Sequence, residues 1–155
     1  MKKQFVILLL CVLLTMTFCG CGEKKTEGMQ DGTYTAQMSD FSFGWKEYVT
    51  ITVKNGNITT TEYNAENASG FIKSWDNVYM NNMKSVTDTY PNEYTRYYAA
   101  QLTGQSTLPE IDTLSGASSS GGNFKKLAQS VVEQAIKGDS TIATVPSDPD
   151  ANGEK

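Results

Sequence analysis

Histidine is absent from this 155-residue chain, arginine occurs once, at Arg96, and the three cysteines all fall within the first 21 residues. Without histidine there is no Ser-His-Asp triad, no Cys-His pair and no His-ligated zinc or haem. Any redox work therefore needs a redox group brought in from outside. Clustered lysine and arginine are missing too, which argues against nucleic acid as a partner, because neutralising phosphates needs grouped cations. The longest apolar run, Phe5 to Phe18, is too short to span a bilayer comfortably.

That run has the form of a secretory signal, with Met1-Lys2-Lys3 ahead of it and small residues and cysteine behind. Gly20-Cys21 at its end resembles the lipobox of bacterial lipoproteins, in which the cysteine is acylated after cleavage. Cys19 follows the bulky Phe18, which favours Cys21 as the lipid attachment point. On this reading residues 1–20 are a signal peptide, 21–30 a lipidated flexible linker, and the protein sits on the outer face of the bacterial cytoplasmic membrane. Cleavage removes two lysines and leaves 135 residues, 11 basic against 17 acidic, a formal charge of −6. No thiol remains beyond Cys21, so the folded part is expected to hold together without disulfides or cysteine-bound metal. A chain of this length fits one domain.

The body begins at Asp31-Gly32-Thr33-Tyr34 with a turn and β-forming residues. Tyr48 to Val53 alternates, with Val49, Ile51 and Val53 on one face, and Asn55-Gly56 then separates it from a second alternating run starting at Ile58. Asn-Gly in that setting predicts a two-residue hairpin. Trp75, Val78, Tyr79, Met83 and Val86 fall on one face of a helix over 74–86, with Ser74 as its cap. Pro91 suits the first position of a helix over 92–102, which carries Tyr94, Tyr97 and Tyr98, with Tyr90 just ahead. Those rings are suited to packing on a sheet or to stacking on a planar ligand. Phe124, Leu127, Ala128, Val131, Val132, Ala135 and Ile136 mark the apolar face of a helix over 123–137, which Gly138 ends. Thr141 to Val145 makes a short edge strand, and 146–155 holds nothing to bury and reads as a disordered tail. The fold class expected is α+β: a small antiparallel sheet packed against two or three helices, spanning 31–145.

Between the second and third helices lies Asp112-Thr113-Leu114-Ser115-Gly116-Ala117-Ser118-Ser119-Ser120-Gly121-Gly122. A loop of small residues running into a helix offers backbone N–H groups, hydroxyls and the positive end of a dipole, a place for a phosphate. It is not a Gly-x-Ser-x-Gly elbow, no lysine follows a serine at the third position, and no Gly-Lys-Ser or Gly-Lys-Thr follows the glycines. Serine hydrolysis and nucleotide hydrolysis are thereby disfavoured, which leaves a loop that holds a phosphate.

Asp112-x-x-Ser115-Gly116-Ala117-Ser118-x-Ser120 ahead of an amphipathic helix resembles the FMN-binding domain family. Asp31-Gly32-Thr33-Tyr34, Gly44-Trp45-x-x-Tyr48-Val49, the Asn-Gly hairpin and Lys73-Ser74-x-Asp76 extend the likeness over residues 31–138. The family includes the flavin-bearing C-type subunits of the sodium-pumping NADH:quinone oxidoreductase and small lipoproteins of extracellular electron transfer. The resemblance implies FMN joined through its phosphate to Ser118, where the family pattern has threonine, by a separate flavin transferase that recognises Asp112. It implies that Ser115, Gly116 and Ala117 allow close approach, with Ser119 and Ser120 completing the phosphate loop. The function implied is an electron carrier more than an enzyme, between a membrane NADH- or quinone-linked donor and an external acceptor. Trp45, Trp75 and the tyrosines are candidate ring contacts. A non-covalent FMN binder and a flavin-free surface lipoprotein are the alternatives.

Overall fold

A computed structural model describes residues 28–147; the signal peptide, Cys21, the linker up to residue 27 and the tail from residue 148 lie outside the described residues. Strands β1 (Gly32–Met38), β2 (Lys46–Lys54) and β3 (Asn57–Glu66) form an antiparallel meander. Helices α1 (Asn77–Thr87), α2 (Pro91–Leu102) and α3 (Ser118–Lys137) follow, then strand β4 (Ala143–Val145). The sheet order is β3-β2-β1-β4. The fold is α+β in a single small domain, as the patterning implied, with one difference: β4 runs parallel to β1, so the sheet is mixed. After α3 has crossed the sheet, a left-handed turn at Gly138 (φ 69°) returns the chain to the free edge of β1.

The hairpin turn falls where Asn-Gly placed it, with Asn55 at φ 52° and Gly56 at φ 71°, the paired positive φ values of a tight hairpin. A bulge in β3 opposite Thr52/Val53 then shifts the side-chain parity. Ile58, before the bulge, and Tyr63 and Ala65, after it, all face the core for that reason. The core lies between this face of the sheet and helices α2 and α3, around Val49, Ile51, Val53, Tyr98, Phe124, Leu127 and Val131.

Several local expectations are revised. Helix α3 begins at Ser118, five residues before the apolar periodicity does, and takes in the serines and the Gly121-Gly122 pair. Helix α1 is capped by Asp76, whose carboxylate accepts from the Tyr79 N–H at 2.9 Å. Ser74 instead belongs to a 3-10 turn (Lys73–Trp75) tied to β3, where Asn64 Nδ2 donates to its hydroxyl at 2.9 Å. The apolar stripe of α1 is not core: no α1 residue is fully buried, and Val78 and Val86 are 71 % and 83 % exposed. Ile136, counted with the core face of α3, is about half exposed. The folded body also starts a little earlier than Asp31: Met29 is buried and the Gln30 N–H donates to the Ala135 carbonyl at 2.8 Å. At the other end Ser147 is held by Ser39 and Asp40.

Candidate phosphate cleft at the start of helix α3

The loop ahead of α3 is fixed from α2. The Tyr98 hydroxyl donates to the Ala117 carbonyl and accepts from the Leu114 N–H, both at 3.0 Å, so one buried phenol spans the turn. Gln101 clamps Asp112 by both backbone groups, accepting from its N–H at 2.7 Å and donating to its carbonyl at 3.2 Å. Gly116 sits at φ 78°, and a Cβ there would meet the Thr87 carbonyl oxygen at the end of α1. Gly121 lies against the Tyr98 ring, where a Cβ would meet its hydroxyl. These glycines therefore serve close approach, one to α1 and one to α2.

Ala117 is the N-cap of α3 and offers no side-chain cap. The first intrahelical bond runs from the Gly121 N–H to the Ala117 carbonyl at 2.9 Å. The N–H groups of Ser118, Ser119 and Ser120 precede it and are the donors a helix leaves over at its start, where the dipole is positive. Ser118 and Ser119 are exposed and Ser120 is half-buried. Tyr63 donates to the Ser120 carbonyl at 2.8 Å and fixes this first turn to the sheet.

A cleft of about 270 Å³ opens beside that turn. Gly116, Ala117, Ser118, Ser119 and Ser120 line it, so five of the seven loop residues singled out in the sequence come together there. Asp112 and Ser115 are exposed and lie outside the lining. Of the candidate aromatics, Trp45 and Tyr94 form part of the wall, and Tyr79 meets Trp45 edge-to-face at 5.8 Å. Tyr98 is core and holds the loop, while Trp75, 67 % exposed, stands over a second cleft beside Arg96. Tyr90 and Tyr97 do not reach the phosphate cleft.

Sequence reasoning passed over the cleft's charged floor. Glu47 and Lys73 are each 8 % exposed. The Glu47 carboxylate accepts from Ser120 Oγ at 2.9 Å and from Asn123 Nδ2 at 2.7 Å, and the Lys73 ammonium stands 4.8 Å from the centre of the Tyr79 ring. Burial raises the Glu47 carboxyl above its ordinary value, against the pull of Lys73 and of its hydrogen-bond donors, Asn123 and Ser120 foremost. Burial lowers Lys73, but the pull of Tyr94, Tyr79 and Glu47 and its hydrogen bond with Tyr94 outweigh that and leave its ammonium above the usual lysine value. A signal for Glu47 was available: two residues before Val49, it continues the buried face of β2. Lys73 had none, because a 3-10 turn has no apolar period to place it against.

No family model matches the chain. It is similar to the 15 kDa lipoprotein of Treponema pallidum (strain Nichols), at 25% identity over 131 residues, which cover 84% of this chain and 89% of that one. It also resembles the solved structure of the CPE2226 protein from Clostridium perfringens, with 31% identity and a TM-score of 0.73, over 77% of this chain and 99% of the other. With that identity carried over nearly the full length of the clostridial protein, the chain belongs to the same family as CPE2226.

Proposed function

We propose that this protein is a lipoprotein, acylated at Cys21 and held on the outer face of the bacterial cytoplasmic membrane, whose cleft carries FMN esterified to Ser118. The lipoprotein part is supported by the signal ending in Gly20-Cys21 and by the similarity to a protein named as a 15 kDa lipoprotein. One observation carries the flavin part: the Ser118 hydroxyl is exposed on the first turn of a 20-residue helix, at the edge of an aromatic-walled cleft. The residues fit the group. The N–H groups at the start of α3 and its dipole suit the phosphate, and Trp45 and Tyr79 put aromatic side chains in the lining. The cleft is smaller than the usual range for such ligands, so part of the flavin would stay open to solvent.

When bound, FMN supplies the electron chemistry, and a phosphoester keeps it from diffusing away outside the cell. The chain itself does the placing: Tyr98 and Gln101 hold the loop, Tyr63 holds the first turn of α3, and the Trp45-Tyr79 wall limits where a ring can lie. The role is that of an electron carrier between a membrane NADH- or quinone-linked donor and an external acceptor, matured by a flavin transferase.

Coexpressed with such a transferase and then denatured, the protein is expected to retain flavin fluorescence and to gain the mass of one FMN less water. Ser118→Ala is expected to lose both. Flavin that leaves on denaturation would turn the reading to a non-covalent binder. A flavin-free surface lipoprotein is the second reading, and two observations favour it: the Treponema relative is named a lipoprotein and nothing more, and Glu47 already occupies two donors at the start of α3. Protein that emerges without any flavin would decide for it.

A further inference from the structure

Resting on the reading of the cleft as a phosphate site, we infer that Glu47 is its charge-selecting residue, admitting a phosphate as a monoanionic diester and disfavouring a dianionic monoester. Among the described residues that line the cleft, Lys73 is the one cation and Glu47 the one anion. The groups around Glu47 are Lys73 from the 3-10 turn, Tyr63 from β3, Tyr94 from α2, and Ser120 and Asn123 from α3, with Tyr79 of α1 over the lysine. The tyrosines, Ser120 and Asn123 carry no charge at neutral pH. With its carboxylate ionised, Glu47 cancels Lys73, so the helix start alone is left to offset an incoming anion, and it is worth about half a positive charge.

A monoanion is nearly balanced by that partial charge, whereas a dianion leaves more than one negative charge uncompensated beside the Glu47 carboxylate. Glu47 also keeps Ser120 Oγ and Asn123 Nδ2 for itself, so the ligand has backbone N–H groups and few side-chain donors. A free flavin phosphate approaches two negative charges at neutral pH, its second proton leaving near pH 6. Esterified to a serine it carries one. The attached form is thus the one this floor tolerates, and Glu47 works as an element of repulsion against the unattached form.

The test uses flavin-free protein made without a transferase and two probes, FMN and the methyl ester of its phosphate, titrated by flavin fluorescence. At about pH 8 the diester is expected to bind tighter, by about tenfold or more, and at about pH 5.5, where the monoester gains a proton, the gap is expected to close. Glu47→Gln, with its fold checked by circular dichroism, is expected to close the gap at both values. Equal affinities at the higher pH, a tighter monoester, a gap that persists in acid or in Glu47→Gln, or no binding of either probe would each overturn the inference. If Glu47→Gln does not fold, the pH comparison in the native protein decides alone. A mass increase at Ser118 without any preference for the diester would remove the selector and leave the flavin reading standing; a preference for the diester without attachment would do the reverse.

Discussion

At the scale of single residues, the loop ahead of α3 depends on positions where a side chain is excluded. Gly116 combines φ 78° with a Cβ position that runs into the Thr87 carbonyl oxygen. Gly116→Ala is expected to cost about 1–3 kcal/mol for the left-handed backbone alone, with the displacement of α1's end added to it. Gly122, six residues on, has open space around its Cβ position and lies inside α3. Gly122→Ala is expected to stabilise, by about 0.5–1 kcal/mol, since alanine loses less chain entropy in a helix. Urea midpoints at unchanged m measure both, and similar shifts for the two would contradict the role given to Gly116. The tyrosines make a related point. Their sequence left open core packing or ligand stacking, and Tyr98 does the first in a way that serves the site, because its hydroxyl spans the loop that presents Ser118.

At the scale of elements, α1 stands apart from α2 and α3. It buries no residue fully, and its start rests on the bond from the Tyr79 N–H to Asp76. Asp76→Ala is expected to cost about 1 kcal/mol of local helix stability. Because α1 adds little to the core, hydrogen exchange of the amides of Asn77–Thr87 should quicken while the global urea midpoint barely moves; an equal fall in both would show that α1 is part of the cooperative core. The same element explains what the sequence could and could not disclose. The Asn55-Gly56 hairpin, Pro91 at the start of α2 and the apolar face of α3 were legible because each is a local signal, a turn chemistry or a periodicity, that the tertiary structure leaves in force. Ser74 and the α1 stripe misled because tertiary contacts decided there: Asn64 claims Ser74, and Val78 and Val86 stay exposed. The first turn of α3 was hidden since serine and glycine are poor helix formers, and Gly121 is there for Tyr98 instead. The loop itself was legible as a place for an anion; the Glu47-Lys73 floor was not, because it joins residues from β2 and a distant turn.

At the scale of the whole molecule, Glu47 ties folding to pH. Its folded carboxyl holds a proton more tightly than a solvated glutamate does, with burial as the leading cause. Between the ordinary glutamate value and that raised one, the native state therefore binds more protons than the unfolded chain, and stability falls as pH rises through this window. Above the window the full cost of a buried carboxylate is present, offset in part by Lys73, Ser120 and Asn123. Lys73 acts at the other end of the scale. Its ammonium is held above the usual lysine value, so its contribution is complete at neutral pH and is lost only as pH climbs through that raised value. Urea midpoints measured from the glutamate range up into alkali beyond the ordinary lysine value should thus decline first through Glu47 and again through Lys73. Glu47→Gln should remove the first decline and weaken the second, because Glu47 is one of the groups that hold Lys73 up, and a native profile that instead rises from acid to neutral pH would mean that Glu47 is held below, and not above, its ordinary value.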